Sequence, residues 1–224
     1  MKLELEQFTM NYLKCGQGKP IILLHGNGEN CHIFDNLITK LSKNYLVYAL
    51  DARGHGKSKM KIEEYHYQDM ADDLYDFICK LNIVNPIIFG YSDGAIIALL
   101  MKMKHNAFNC KLILAGLNVF PTGIEEKTYN QSIKDSLKNS NLNDRLLAKL
   151  MINEPNISKD QLNNLNCQIS LIYGENDLIL KDHQIYINQN IKNSTLEIVY
   201  GEDHGSYVYD NAKLEKILEK YLEK

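Results

Sequence analysis

The chain has 224 residues, of which 45% are hydrophobic, and its 25 Lys+Arg against 28 Asp+Glu leave a formal net charge of −3. That hydrophobic content excludes a disordered chain. The length is about one and a half ordinary domains, which suits one large domain or a domain carrying an insertion. The balanced charge, with no block of like sign, lacks the clustered cations that phosphate binding needs, so no nucleic-acid partner is expected.

A chain this long buries roughly 70% of the surface its unfolded form exposes and needs no staple to fold. Its five cysteines, at 15, 31, 79, 110 and 167, form no C-x-x-C pair, and an odd, scattered set reads as neither a disulfide framework nor a zinc site. The first residues, Met-Lys-Leu-Glu-Leu-Glu-Gln-Phe, place Glu4 and Glu6 where a secretory leader would be apolar. The longest apolar run, Ala95 to Met101, falls far short of the ~18 residues of a membrane span. A reduced, cytoplasmic location without a membrane span is therefore expected.

Residues 2–14 alternate as an antiparallel edge hairpin would. Short apolar runs then follow at Pro20–Leu24, Leu46–Leu50, Pro86–Gly90, Lys111–Ala115, Gln168–Tyr173 and Thr195–Tyr200. Such runs, set between helical stretches, predict buried strands of a largely parallel sheet. Between the second and third runs, Met70, Leu74, Phe77, Ile78 and Leu81 line one helical face. Leu214, Ile217, Leu218 and Tyr221 repeat the pattern near the end. The fold class is α/β.

One segment breaks the alternation. Between Ala115 and Gln168 lie about fifty polar, Asn-rich residues of helical period. Tyr129, Ile133 and Leu137 form one stripe, and Leu146, Leu147, Leu150 and Met151 a second. A third helix is predicted from Ser158, with Gln161 completing a capping box and Ile157 and Leu162 placed as a hydrophobic staple. Helices make this long connection acceptable in a compact domain. The expected division is a core of 1–116 and 168–224 and a helical lid of 117–167.

Directly after the Pro86–Gly90 run stands Gly90-Tyr91-Ser92-Asp93-Gly94, followed by apolar residues to about His105. G-x-S-x-G at a strand-to-helix junction is a nucleophile elbow, and its tight turn leaves room only for glycine two residues either side of the serine. A serine needs a base, and the base an orienting acid. In this architecture the acid and then the histidine follow the serine. His204, in Gly201-Glu202-Asp203-His204-Gly205, sits just after the Thr195–Tyr200 run, whereas His183 falls within a helical stretch. After Tyr173 comes Gly174-Glu175-Asn176-Asp177. Asp177 is the favoured acid, with Glu175 its competitor. The oxyanion hole needs two backbone N–H donors: Asp93 supplies one, and Asn27, in His25-Gly26-Asn27-Gly28, the other. The Asp93 carboxylate should turn outward, since inward it would oppose the developing anion. Of the lid residues, Phe120, Tyr129 and Met151 are expected to face the site and bind substrate.

The set HGNG (25–28), DARGHGKS (51–58), GYSDGA (90–95), GEND (174–177) and DHG (203–205) resembles the α/β-hydrolase superfamily, in its small lid-bearing, lipase/esterase-like branch. The resemblance spans the whole chain in order. It implies an eight-stranded, mostly parallel sheet with one antiparallel strand, no cofactor or metal, and a structural role for the loop carrying Arg53. Gln168 stands where the family usually has Pro before the strand that leads to the acid. Serine rather than aspartate at 92 points away from the dehalogenase and epoxide-hydrolase branches. The expected activity is hydrolysis of a small carboxylic ester by Ser92, His204 and Asp177. A thioesterase, lactonase, amidase or C–C hydrolase would use the same parts, and a slow-turnover ligand-binding receptor would keep them too. Fold alone does not choose, and oligomeric state is left open.

Overall fold

The computed structural model describes residues 1–60, 62–139 and 141–222, the side chains of 128, 130 and 132 aside. In chain order the core runs β1 (Lys2–Glu4), β2 (Thr9–Cys15), β3 (Lys19–Leu24), α1 (Asp35–Leu41), β4 (Tyr45–Leu50), α2 (Tyr67–Lys80), β5 (Ile87–Tyr91), α3 (Asp93–Lys104) and β6 (Lys111–Ala115). Three helices follow: α4 (Glu126–Leu137), α5 (Leu142–Asn153) and α6 (Lys159–Asn163). The core resumes with β7 (Ile169–Asn176), α7 (Lys181–Asn190), β8 (Ser194–Asp203), α8 (Ser206–Tyr209) and α9 (Asn211–Leu218).

Among the described residues, eight strands form one sheet in the order β1-β2-β4-β3-β5-β6-β7-β8. The hairpin β1–β2 is antiparallel, as is β2 against β4. From β4 to β8 every pairing is parallel. This is the α/β-hydrolase sheet that the motifs imply.

Period-two alternation explains why the strand runs are apolar throughout. Ile22, Leu24, Ile88, Leu112, Leu114 and Leu171 face the side covered by α2 and α3, together with Met70, Leu74 and Phe77. Ile21, Leu23, Phe89, Ile113 and Ile172 face the side covered by α1 and α9, with Leu37, Leu41, Leu214 and Leu218. Both faces are dry, so no polar alternation survives in the sequence. None of the described helices is long and apolar enough to cross a membrane.

The helices between β6 and β7 spend most of their apolar stripe on the body. Leu146, Leu147, Leu150 and Leu162 are buried in the same core as α2 and α3. The capping box forms, with Gln161 N–H donating to Ser158 Oγ at 3.3 Å and Ser158 N–H to Gln161 Oε1 at 2.8 Å. Two polar anchors hold α5 near its ends. Asn143 accepts from Tyr65 OH at 2.6 Å and donates to Gly54 O at 2.9 Å. Glu154 accepts from Tyr67 N–H at 3.0 Å and pairs with His66 Nδ1 at 2.7 Å.

Arg53, in the loop after β4, is buried and forks onto Asp73 of α2 at 2.7 and 2.8 Å, with Gln7 accepting a third bond at 2.8 Å. Removing one member of a buried pair strands the other charge, at a cost of about 3–5 kcal/mol. Arg53→Met is therefore expected to lower unfolding stability by that order in urea, and R53M/D73L to recover much of it. A single variant within 1 kcal/mol of the parent, on the order of an exposed pair, would show that Asp73 reaches water.

The two last strands run further than their apolar stretches suggest. β7 reaches Asn176 and β8 reaches Asp203, where the apolar runs end at Tyr173 and Tyr200. The polar, glycine-bearing ends still pair, through an irregular step that sets Asn176 opposite Asp203. The next residue on each strand is Asp177 and His204. Strand pairing thus brings together two residues 27 apart in the chain.

Candidate active site

The sheet changes winding direction between β3 and β5, since β4 lies on one side of β3 and β5 on the other. The carboxyl ends of strands at such a switch point open into a crevice. Leu24 pairs with Gly90 there, so the turn after β3 and the turn after β5 emerge side by side.

Ser92 occupies the β5–α3 turn at φ 53, ψ −115, a left-handed conformation that costs a non-glycine residue of order 1–3 kcal/mol. The neighbours explain the flanking glycines. A Cβ at 90 would lie 2.3 Å from Gly94 O, and one at 94 would lie 2.4 Å from Leu24 O. Ser92 N–H donates to Ala115 O at 2.8 Å, while its carbonyl accepts from Ala95 and Ile96 at 2.9 and 3.2 Å. The strained turn is pinned on both sides.

Ser92 Oγ lies 3.1 Å from His204 Nε2, and His204 Nδ1 lies 2.7 Å from Asp177 Oδ1. A carboxylate only accepts, so Nδ1 carries the proton and Nε2 is left to accept from the serine hydroxyl. The Asp177 carboxylate is fully covered and the His204 ring is 15% exposed. The carboxylate is fixed by two further donors, Ile179 N–H at 2.9 Å and Gly174 N–H at 3.2 Å. Glu175 is occupied elsewhere, accepting from Gly201 N–H at 2.9 Å. The structure brings Ser92, His204 and Asp177 together and leaves Glu175 apart.

His25 braces the loop after β3. Its Nε2 accepts from Ala52 N–H at 3.1 Å, which leaves the Nδ1 proton for Gly26 O at 2.7 Å. Burial, with His55 beside it, pushes its pKa down to about 4, so the ring is a neutral strut. Asn27 and Asp93 both line the cavity above Ser92. Asp93 is the first residue of α3, and its N–H has no helical carbonyl to meet.

The Asp93 side chain departs from expectation: it turns inward and is buried. Tyr67 OH donates to Oδ1 at 2.7 Å and Asn27 Nδ2 to Oδ2 at 2.8 Å. These two donors satisfy the carboxylate, while burial pushes its pKa up. The bond from Asn27 also ties the loop after β3 to the head of α3.

The cavity over Ser92 measures about 220 Å³, at the small end for a ligand site. Tyr129 and Met151 line it, as do Ile124, Leu178 and Ile179. Tyr129 OH donates to Met151 O, which joins α4 to α5 at the wall. Phe120 is not brought to the site. It packs edge-on against His183 at 4.3 Å and Tyr186 at 5.7 Å between ring centroids, beside a separate surface cavity. It lies before the Pro121–Gly123 turn, where the segment is still leaving the body. Sequence reading missed Glu29, Tyr67, Tyr91, Glu154 and Tyr209 at the cavity. Glu29 and Tyr91 adjoin recognised motifs, but Tyr67, Glu154 and Tyr209 carry no local signal. Among the described residues, no group of three His, Cys, Asp or Glu side chains is placed to hold a metal.

A family model described as the alpha/beta hydrolase fold matches residues 19–129. The human protein named Serine hydrolase BPHL is 23% identical over 99% of this chain and 86% of its own length. Among solved structures, an esterase (EaEST) from Exiguobacterium antarcticum superposes with a TM-score of 0.81 at 22% identity, covering 96% of this chain and 95% of that one. Est816, titled an N-acyl homoserine lactone degrading enzyme, superposes with the same score at 17% identity, covering 99% and 100%. At these identities the solved structures speak for the fold alone. The family model lies across the elbow, and the α/β-hydrolase fold is shared over the whole length of the chain.

Proposed function

We propose that this chain is a serine hydrolase that cleaves a small carboxylic ester through an acyl-enzyme. The observation that carries the reading is the continuous hydrogen-bonded path from Ser92 Oγ through His204 to Asp177, starting at a serine held in strained geometry. His204 Nε2 takes the hydroxyl proton as Oγ attacks the ester carbonyl carbon. The C=O electron pair moves onto oxygen, and the N–H groups of Asn27 and Asp93 hold that oxyanion. As the tetrahedral intermediate collapses, the C–O bond to the alcohol breaks and His204 delivers its proton to the leaving oxygen. Water then repeats the sequence on the acyl-enzyme and releases the acid. Asp177 orients the imidazole and stabilises its cation.

The helices within 117–167 act in this reading as a lid that shapes the acyl or alcohol site. Tyr129 and Met151 support that role from the cavity wall. The small volume fits a short or medium chain. Trimming a wall residue should change chain-length preference, because each methylene in an apolar pocket is worth ~1–3 kcal/mol. In kcat/KM across p-nitrophenyl esters of increasing acyl length, Met151→Ala and Tyr129→Ala are expected to shift the profile toward longer acyl groups by about tenfold or more. Phe120→Ala should leave it unchanged. Equal profiles in all four proteins would move the specificity determinants off the lid.

The acyl-enzyme itself is open to test. Rapid mixing with p-nitrophenyl acetate, followed by acid quench and peptide mapping, should find an acetyl group on the peptide containing Ser92. Steady turnover with no covalent adduct, under conditions where acylation outruns hydrolysis, would contradict the mechanism.

A further inference from the structure

His25 and the Asn27 side chain hold the oxyanion loop toward Ala52 and Asp93, and a third contact ties it to the segment carrying His204. Between His25 and Glu29 stand Gly26, Asn27 and Gly28, and Gly28 adopts φ +73. Yet Gly26 is tightly placed: a Cβ there would lie 3.1 Å from Tyr91 Cε1 and 3.3 Å from Ser92 Cβ. The side chain that closes this turn is Glu29.

Glu29 Oε2 accepts from Gly26 N–H at 2.8 Å, and its own N–H reaches back to Gly26 O at 3.4 Å. The other oxygen, Oε1, accepts from Tyr209 OH. Tyr209 ends the short helix that begins just after His204. Tyr91 precedes the nucleophile, packs against the His204 ring at 5.3 Å and meets Tyr209 edge-on at 6.0 Å. One carboxylate therefore joins the turn after β3 to the segment carrying His204 and, through Tyr209, to the end of β5. Burial, with Asp93 nearby, pushes the Glu29 pKa up, while Tyr209, Gly26 and His204 oppose the rise.

We infer that Glu29 is a positioning residue, whose carboxylate clamps the oxyanion loop to the Tyr209–Tyr91 pair so that the Asn27 N–H is held in register with Ser92 and His204. This rests on the serine-hydrolase reading above. Its effect should be felt in the transition state, because the oxyanion forms only there. Displacing a donor by ~1 Å can cost about 10²-fold in rate.

The experiment compares wild type with Glu29→Ala, Glu29→Gln and Tyr209→Phe, measuring kcat and KM on p-nitrophenyl acetate and fluorophosphonate labelling of Ser92. Unfolding midpoints verify that each variant is folded. Glu29→Ala is expected to lower kcat by roughly 30- to 100-fold with KM within about threefold. Glu29→Gln should recover to within about threefold of wild type, since its amide oxygen still accepts from Gly26 and its NH₂ can donate to Tyr209. Tyr209→Phe should lower kcat by a smaller factor, about three- to tenfold, in line with one lost hydrogen bond of ~1 kcal/mol. A folded Glu29→Ala with wild-type kcat, or a Glu29→Gln as slow as Glu29→Ala, would overturn the clamp. Wild type that labels at Ser92 and turns over separates those outcomes from failure of the serine-hydrolase reading. Wild type that does neither would sink both.

Discussion

Ser92→Ala is expected to lower kcat for ester hydrolysis by roughly 10⁶-fold, the size of effect seen when a triad loses its nucleophile. Among the described residues, Ser92 bonds His204 Nε2 at 3.1 Å through its hydroxyl and nothing else. Its N–H and C=O bonds, which pin the turn, belong to the backbone and survive the change. Alanine must still adopt the positive φ of position 92, so unfolding stability should move little in either direction. A residual rate above solution hydrolysis is expected, because the oxyanion donors and the cavity remain. Folded S92A that keeps more than a few per cent of wild-type kcat would assign the chemistry to another group.

The second large effect falls on the acid. Asp177→Asn should leave folding near normal and cut kcat by about 10⁴-fold. The reason lies in the proton on Nδ1. Asparagine has one oxygen for donors that Asp177 meets with two, Ile179 N–H and His204 on Oδ1 and Gly174 N–H on Oδ2. When that oxygen serves Gly174, its NH₂ faces His204 and favours the wrong tautomer. Nε2 then carries the proton and cannot accept from Ser92. Glu175→Gln should change kcat by less than about threefold, since among the described residues Glu175 bonds Gly201 N–H across the ends of β7 and β8, a contact worth about 1 kcal/mol. The reverse ranking would mean that the acid approaches His204 from the other side of the strand end. Steady-state kinetics on p-nitrophenyl esters, with circular dichroism to check folding, decide between the two.

Sequence legibility differed sharply from residue to residue. Ser92, His204 and Asp177 stand at strand ends beside glycines, and strand ends are where apolar runs stop. The order of strands in the sheet is not encoded in the runs themselves; the resemblance to a known family implies only their number and the single antiparallel strand. The ends of β7 and β8 read as loop because Gly174-Glu175-Asn176 and Gly201-Glu202-Asp203 are polar. Their pairing is a tertiary fact, and it is what sets Asp177 against His204. Asp93 was misplaced for a similar reason. A carboxylate in the first turn of a helix is favourable when exposed, and nothing near it in sequence announces that Tyr67 of α2, 26 residues upstream, will donate to it. Phe120 shows the limit of composition: an aromatic at the start of an insertion packs wherever the first turn directs it, here onto α7.

The proposed chemistry requires Ser92 to be an activated nucleophile, and reaction with a fluorophosphonate probe tests this most directly. Only a serine whose proton has somewhere to go attacks the phosphorus. The measurement is intact mass of wild type after incubation, followed by peptide mapping, with S92A as control. One adduct per chain on the peptide containing Ser92, and none on folded S92A, is the expected result. A folded wild type that stays unlabelled, or a label on any other serine, would contradict it.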